Sequence, residues 1–286
     1  MLQGQNEADH RLPTIDRAGT SSPPDDRALF RAWKSSAPPT VQAQKFCEIP
    51  DIIETWLAPY GGFAGRDILD FGCGFGEMAA GIALGYDPGK VVGVDIQDKP
   101  ARCEDILRDQ LGLSGMPATL SLRQIEECGS LGASAFDLVI SWSTLEHVRR
   151  AVLPATIADL WSALRPGGLA FVQISPLYFS PEGSHLWALG YHAWEHLLRQ
   201  TSEVLADIEA APGVTDDAKG RLVQLFSTLN RVTANDLKQS FQSAGFEVLR
   251  EQRDRTDAIP EARLIEAYSL DALTTFQIVL LLRKPA

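Results

Sequence analysis

Three glycines at alternate positions have the spacing of a loop that binds a nucleoside-containing ligand. In the segment ILDFGCGFGEMA, residues 68–79, an apolar run leads into Gly72, Gly74 and Gly76 and then into a helix-forming stretch. Glycine permits the backbone dihedrals of a tight turn and lets a ligand approach bare backbone. A dinucleotide fingerprint, G-x-G-x-x-G, would need another glycine where this chain has Glu77. The spacing therefore favours a cofactor other than a dinucleotide.

Two aspartates accompany this loop. Asp70 lies just before the first glycine and suits a ligand with an ammonium group, because its charge would repel a pyrophosphate. Asp95 ends the apolar segment VVGVDI at the carboxyl edge of a predicted strand. A carboxylate at that edge can accept hydrogen bonds from both hydroxyls of a ribose. We infer a cofactor that contains an adenosine-like group.

Short apolar runs alternate with helical patterns, which predicts a parallel sheet built from βαβ units. Strands are predicted at residues 67–71, 91–95, 118–123, 136–141, 169–175, 246–251 and 275–283. A loop-like stretch separates the last two, so we expect them to pair as an antiparallel hairpin at one edge. The predicted fold class is α/β, a seven-stranded, mostly parallel sheet with helices on both faces.

The composition divides the chain into segments. Residues 1–40 are rich in Ser, Pro, Asp and Arg, which predicts a mobile N-terminal tail. Residues 41–65 carry apolar side chains at three-to-four spacing, which predicts two short helices ahead of a main domain at 66–286. Residues 175–232 exceed what a minimal version of this architecture needs. Their aromatic residues and amphipathic stretch LLRQTSEVLADIEA predict a helical lid over a binding cleft.

Charge and hydropathy exclude several classes of partner. The formal net charge is -11 and no dense Lys/Arg run is present, so we expect no nucleic-acid partner. No apolar leader and no apolar run of membrane-spanning length occur, so we expect no membrane partner and a cytoplasmic location. The cysteines are scattered without a CxxC pair, which predicts free, buried thiols at Cys47, Cys73, Cys103 and Cys128. A homodimer is compatible with these features.

Four motifs follow one another in the chain: D-x-G-C-G-x-G, GVD, FDLVISWSTLEHV and LWSALRPGGLAFV. Together they resemble the motif series of class I S-adenosylmethionine (SAM)-dependent methyltransferases, closely over residues 65–175 and more loosely near the C-terminus. The resemblance implies a Rossmann-like methyltransferase fold, SAM as cofactor and S-adenosylhomocysteine as product.

The resemblance also implies that Asp70 holds the methionine amino group, that the glycine loop packs against the cofactor and that Asp95 binds the ribose. The full set of expected cofactor-binding residues is Asp70, Gly72, Cys73, Gly74, Gly76, Asp95, Ile96, Gln124, Ile125, Ser141 and Trp142. The third strand departs from the common pattern, in which an acidic residue bonds the adenine amino group. Gln124 and Glu126 are alternative substitutes for that residue.

Histidines are the candidate catalytic residues. His147 follows the fourth strand, and a neutral imidazole has a pKa suited to taking a hydroxyl proton near pH 7. The alternative is that Glu146 and His147 only open and cap the following turn. His185 and His192, in the predicted lid, are further candidates for the base.

We predict no metal site. The ubiquinone-type O-methyltransferases that share the EHV segment can carry a further carboxylate just before it, where this chain has Ser143 and Thr144. His192 and His196 have the four-residue spacing of ligands on one helix face, but histidines in aromatic-rich lids more often bond substrate or backbone.

The aromatic residues of the lid suit an apolar or ring-shaped acceptor. The expected substrate-binding residues are Tyr178, Phe179, Trp187 and Tyr191. The alternative is that they pack the lid onto the domain. The sequence thus predicts a SAM-dependent methyltransferase acting on a small molecule, by O-methylation of a hydroxyl on a secondary metabolite or glycan-like acceptor. N- or C-methylation and a non-catalytic SAM-binding scaffold are the alternatives.

Overall fold

The computed structural model describes residues 25–126 and 131–286, and these form one seven-stranded sheet. The strands are β1 Asp67–Phe71, β2 Lys90–Asp95, β3 Leu120–Gln124, β4 Phe136–Trp142, β5 Leu164–Ile174, β6 Glu247–Arg255 and β7 Thr275–Arg283. Their order is β3-β2-β1-β4-β5-β7-β6. Strands β1 to β5 pair in parallel, and β7 pairs antiparallel with both β5 and β6. The predicted α/β class with a mostly parallel sheet is confirmed.

The strand order reverses beside β1, whose neighbours are β2 and β4. In open α/β sheets, ligands bind in the crevice outside the carboxyl ends of the strands at such a reversal. The predicted ligand-binding loop follows β1, and the predicted catalytic turn follows β4. The topology therefore brings the two segments to the same edge of the sheet.

Helices cover both faces of the sheet. They are α1 Asp26–Ser36, α2 Val41–Ala43, α3 Ile49–Leu57, α4 Glu77–Gly85, α5 Cys103–Leu111, α6 Leu153–Ala163, α7 Thr201–Ala210, α8 Asp216–Thr228, α9 Ala234–Ser243, α10 Ala262–Ala267 and α11 Leu270–Thr274. One core cluster joins α1, α3, α4 and α5 to the sheet, and a second joins α6 and α9 to the opposite face. No helix in residues 25–126 and 131–286 is long and apolar enough to cross a membrane.

Helix α1 corrects the prediction of a tail over residues 1–40. Phe30 is 1% exposed, and its ring stacks on Trp33, with centroids 6.2 Å apart. Trp33 in turn packs edge-on against Phe46, at 5.6 Å. Two aromatic residues three positions apart are enough to dock one helix, although the average composition of the segment is polar. The rest of the predicted tail, residues 1–24, lies outside the described residues, as does Cys128.

A nearly continuous helical segment lies where two short helices are predicted. A π-helical turn, Gln44–Glu48, joins α2 to α3, and Pro50 occupies the first turn of α3. The π turn lies directly on α4, because a Cβ atom on Gly81 would be 2.0 Å from the carbonyl oxygen of Phe46. Helix α4 is buried on all sides, since the sheet covers one face and this N-terminal layer covers the other.

The predicted insertion contains α7 and α8 and has a small core of its own. That core is formed by Tyr178, Leu186, Val204, Ile208, Phe226 and Leu229. After the insertion, α9 begins with the reciprocal capping bonds of Thr233 and Asp236. The insertion therefore leaves and rejoins the main domain between β5 and α9.

Candidate active site

The glycine loop begins where β1 ends. Gly72, Gly74 and Gly76 have φ angles of 79°, 57° and 87°, in the left-handed region that favours glycine. A Cβ atom on Gly72 would lie 2.1 Å from Cγ2 of Thr144, whereas one on Gly74 would meet no atom within 4 Å. The backbone at Gly74 is therefore open to a ligand. At Gly72 the loop lies against the turn that follows β4.

Asp70 is fully buried, and neither of its carboxylate oxygens has a hydrogen-bond partner. Burial raises its pKa to about 8, and the nearby carboxylates of Asp95 and Glu77 add to the rise. A buried carboxylate without a partner is costly. The ammonium group of a bound ligand would supply both a counter-charge and hydrogen-bond donors, so this residue fits the predicted cofactor.

Asp95 is held in place by the backbone. The N–H of Gly74 donates to Oδ2 at 2.9 Å and the N–H of Gln97 donates to Oδ1 at 2.8 Å. These bonds leave each oxygen with a further lone pair for a ribose hydroxyl. They also fix the position of the carboxylate relative to the glycine loop.

The residues expected near the adenine follow β2 and β3. Ile96 directly follows Asp95 and is 56% exposed. Gln124 donates from Nε2 to the carbonyl oxygen of Ile96 at 3.0 Å, and the N–H of Ile125 donates to the carbonyl oxygen of Asp95 at 2.8 Å. Ile96 thus presents an open apolar surface, while the amide of Gln124 is engaged with backbone.

Cys73, Ser141 and Trp142 face protein. Cys73 is buried, and its sulfur would lie 3.0 Å from a Cβ atom on Gly93. Ser141 is fully buried and its hydroxyl lacks a hydrogen-bond partner. The ring of Trp142 stacks on Phe171 at a centroid distance of 6.2 Å. These three side chains pack against the protein next to the glycine loop and at the end of β4.

Two of the three candidate histidines are in contact. The rings of His147 and His185 meet edge to face, with centroids 5.3 Å apart, and Trp187 stacks on His185 at 5.7 Å. His185 is buried, His147 is half-buried and Trp187 is 57% exposed, so the row of rings extends to solvent. The structure therefore joins the turn after β4 to the start of the insertion through His147 and His185.

Hydrogen bonds specify how the two imidazoles are oriented. His185 Nε2 lies 3.0 Å from the carbonyl oxygen of Pro176, which only accepts, so Nε2 of His185 carries a proton. His147 Nδ1 lies 3.0 Å from the hydroxyl of Thr228, and that hydroxyl also lies 2.9 Å from the carbonyl oxygen of Gln224. The Thr228 hydroxyl has a single proton, and the carbonyl oxygen of Leu225 is a second acceptor for it within α8, at 3.1 Å. A hydroxyl that donates within the helix meets Nδ1 of His147 as an acceptor, which favours the tautomer with the proton on Nδ1 and the lone pair on Nε2.

Burial keeps both imidazoles neutral. It lowers the pKa of His147 to about 4, with repulsion from His185 and Lys99 adding to the effect. It also lowers the pKa of His185, against the opposing effect of the bond to Pro176. Both imidazoles are therefore unprotonated across the physiological range.

The other predicted lid residues lie elsewhere. His192 is exposed, and its backbone N–H donates to Glu195. Tyr191 donates from its hydroxyl to Asp207 at 2.7 Å. Tyr178 is buried in the core of the insertion, and Phe179 packs against Tyr268 at 5.3 Å. Among the predicted acceptor-binding residues, Trp187 is the one that the structure brings to the histidine pair.

Several contacts and one buried acid near the site were not predicted from the sequence. Lys45, on the π turn, lies 3.5 Å from Glu77, a buried residue at the start of α4. Glu146 is also buried, and burial raises its pKa to about 8. Asn230, at the end of the insertion, bonds the turn that carries His147. Sequence motifs gave no signal for these contacts, because they join segments that are distant in the chain.

His196, considered with His192 as a ligand pair, is buried and engaged with backbone. Its Nε2 lies 2.7 Å from the carbonyl oxygen of Tyr178, and burial lowers its pKa to about 4. Within the described ranges, no group of three or more His, Cys, Asp or Glu side chains is arranged to hold a metal ion.

Comparisons with known proteins identify the family to which this chain belongs. A family model described as a methyltransferase domain matches residues 41–251. The chain is 31% identical over 124 residues to a ubiquinone biosynthesis O-methyltransferase of Aromatoleum aromaticum, covering 43% of this chain and 50% of that protein. It is 31% identical over 173 residues to the protein of the same name in Acinetobacter baylyi, covering 54% of this chain and 67% of that protein. The chain thus spans about half the length of several curated relatives that it matches.

A solved structure with a similar fold is that of the 4+2 cyclase SpnF. The two structures agree with a TM-score of 0.53 at 16% identity, covering 91% of this chain and 93% of that one. At this identity the likeness shows the fold alone, because one fold supports many reactions.

Proposed function

This chain belongs to the methyltransferase-domain family, and from that premise we propose that it uses SAM to methylate a hydroxyl group of a small-molecule acceptor. The observation that supports this proposal most directly is the contact between two neutral histidines, His147 on the turn after β4 and His185 at the start of the insertion. That turn touches the glycine loop through Thr144 and Gly72. A proton acceptor is thus placed beside the proposed cofactor site.

Four residues would hold the cofactor. Asp70 would bind the methionine ammonium group, because it is a buried carboxylate without a partner. Asp95 would accept bonds from the ribose hydroxyls, and Gly74 would let the cofactor lie against open backbone. Ile96 would cover the adenine with its exposed apolar side chain. When bound, SAM supplies an activated methyl group on a sulfonium and leaves as S-adenosylhomocysteine.

His147 is proposed as the general base. Its Nε2 would carry the lone pair, with Nδ1 donating to the hydroxyl of Thr228, which lies 3.0 Å away. The acceptor hydroxyl would give its proton to Nε2 while its oxygen takes the methyl group, so that the imidazole becomes an imidazolium and the oxygen becomes an ether. A base held neutral by burial does not need to lose a proton first. Orientation and exclusion of water would supply much of the remaining rate enhancement.

The acceptor would lie beside His185 and Trp187. Both rings offer flat apolar surface, and Trp187 extends that surface into solvent. A ring-shaped acceptor could stack there with its hydroxyl directed toward His147. The relatives named as ubiquinone biosynthesis O-methyltransferases support a hydroxyl as the methylated group.

The test is transfer of isotopically labelled methyl groups from SAM to a panel of phenols, sugars and amines. We expect hydroxylated ring compounds to be methylated. With a reactive acceptor, His147→Gln should lower kcat by about 100-fold or more while SAM binding is unchanged, because a positioned base contributes roughly that much. His192→Gln should keep the wild-type rate. Labelling of amines alone would overturn O-methylation, and a fully active His147→Gln variant would overturn the base.

A further inference from the structure

The C-terminal end of the insertion is bonded to the turn that carries His147. Asn230 is 7% exposed, and its side-chain amide donates to the carbonyl oxygens of Leu145, at 2.6 Å, and Val148, at 2.9 Å. The backbone N–H of Asn230 donates to the carbonyl oxygen of Glu146 at 2.8 Å. One residue of the insertion thus binds three carbonyls of a four-residue segment, 145–148.

The side-chain oxygen of Asn230 is engaged as well. It accepts the backbone N–H of Val232 at 3.1 Å, a local turn that fixes the orientation of the amide. Both amide hydrogens and the oxygen are then used. A buried amide with all its groups bonded is rigid, because any rotation leaves several polar groups without partners.

Two residues before Asn230, Thr228 meets the imidazole itself. Its hydroxyl lies within hydrogen-bond distance of two carbonyl oxygens of α8, those of Gln224 at 2.9 Å and Leu225 at 3.1 Å, and of His147 Nδ1 at 3.0 Å. When it donates within the helix, it faces Nδ1 with a lone pair. An acceptor at Nδ1 favours the tautomer protonated there. The other tautomer would place two lone pairs against each other.

We propose that Thr228 and Asn230 form a positioning clamp, in which Asn230 fixes the turn and Thr228 sets the His147 tautomer that leaves Nε2 as the basic atom. The clamp gives the insertion a role in the reaction beyond covering the cleft. Both clamp residues act through the turn and the imidazole of His147, so they are positioning residues. The proposal rests on the proposed function for its effect on rate, but its effect on the tautomer is independent of which reaction is catalysed.

The primary test is ¹⁵N NMR of the full chain labelled at histidine. The sequence has 5 histidines, and the His147→Gln spectrum identifies the signals of His147. For the wild type near pH 7 we expect a protonated Nδ1 and an unprotonated Nε2 at His147. An Nε2-protonated wild-type imidazole would overturn the proposal.

Thr228→Val and Thr228→Ser are a matched pair of variants. Valine keeps the shape but removes the acceptor, so we expect a mixture of tautomers at His147 and a kcat lowered by about tenfold or more, with an unchanged Kd for SAM. Serine keeps a hydroxyl and should restore both the tautomer and most of the rate. An unchanged His147 spectrum in Thr228→Val would overturn the role of Thr228.

Asn230→Ala tests the other half of the clamp. It removes the donors to Leu145 and Val148, and we expect kcat to fall with little change in KM for SAM. If this variant does not fold, the Thr228 pair still decides the proposal. If His147→Gln retains full activity while the tautomer responds to Thr228→Val, the base assignment fails and the clamp remains. If His147→Gln is inactive while the tautomer ignores Thr228→Val, the base assignment remains and the clamp fails.

Discussion

Burial sets the charge of the residues that would do the chemistry. Asp70 and Glu146 have pKa values raised to about 8, so both carry a proton near pH 7 in the absence of a ligand. His147 and His185 have lowered pKa values and stay neutral. In the free protein these four side chains are therefore neutral, and a cationic ligand would favour the charged form of Asp70.

Binding of SAM should release a proton. Below pH 8 Asp70 is protonated in the free protein, and a bound ammonium group would stabilise its charged form. The affinity for SAM should rise by up to about tenfold per pH unit between pH 6 and pH 8. Calorimetric titrations in buffers of different ionisation enthalpy measure the released proton. The Asp70→Asn variant should bind weakly and release none, and proton release equal to that of the wild type would exclude Asp70 as its source.

The pH dependence of kcat reports on His147. Its pKa of about 4 keeps Nε2 unprotonated from pH 8 down to about pH 5. With saturating SAM and acceptor, kcat should stay level between pH 7.5 and pH 5.5 and decline only under more acid conditions. If the base had the ordinary histidine pKa near 6.5, kcat would fall to about half of its maximum at pH 6.5. A midpoint near 6.5 would therefore show that the base is not buried as the structure has it.

The insertion and the N-terminal layer both contribute residues near the carboxyl ends of the central strands, where the candidate site lies. The insertion contributes His185 and Trp187 at its start and Thr228 and Asn230 at its end. The N-terminal layer covers α4 and brings Lys45 to Glu77. The insertion has a core of its own, whereas the N-terminal layer shares a core cluster with α4, α5 and the sheet.

Acid should destabilise the protein in part through His196, whose pKa falls from about 6.5 in an unfolded chain to about 4 on folding. Its stabilising contribution is complete above pH 6.5 and is lost as the pH falls toward 4, because the unfolded chain binds the extra proton. Between pH 7.5 and pH 5 this loss is about 1–2 kcal/mol. Urea unfolding should give a smaller pH dependence for His196→Gln than for the wild type. Equal dependence in the two proteins would contradict this account.

Gly81 is required for the contact between the π turn and α4. Alanine there would place a methyl group 2.0 Å from a backbone oxygen, and we expect a loss of about 1–3 kcal/mol in the free energy of unfolding. Gly220 is a matched control, because it is exposed in helix α8 and its Cβ position is open. Gly220→Ala should stabilise by about 1 kcal/mol. Chemical denaturation of both variants measures the difference, and a stabilised Gly81→Ala would show that the layer is not docked in this way.

At the scale of the whole molecule, local periodicity predicted the sheet well. β1 and β7 have the predicted bounds, and β6 pairs antiparallel with β7 as predicted. The connection between them, predicted as a loop, contains the short helices α10 and α11. β6 extends beyond its predicted end, to Arg255, because backbone pairing with β7 does not need apolar alternation on an edge strand. Helix α1 was missed, since two aromatic residues outweigh a polar composition.

The residues of the candidate site also fall into a group that the sequence predicts and a group that it does not. Asp70, Asp95 and the glycines could be found from the sequence because they lie within short motifs that follow strands. The clamp could not, since Thr228 and His147 are 81 residues apart and Asn230 lies 85 residues from Leu145. Aromatic residues close together in the insertion looked alike in the sequence, but Tyr178 fills a core whereas Trp187 remains exposed. Such long-range packing depends on the tertiary fold.

The central claim, that this methyltransferase-family chain binds and uses SAM at the edge of β1 and β2, is tested most directly by calorimetric titration with SAM. Titration with NAD and titration of Asp95→Ala are the controls. We predict micromolar binding of SAM that Asp95→Ala weakens by about tenfold or more, because the ribose loses a charged acceptor, and no binding of NAD. An absence of SAM binding by the folded wild-type protein, or equal affinity in Asp95→Ala, would contradict the account.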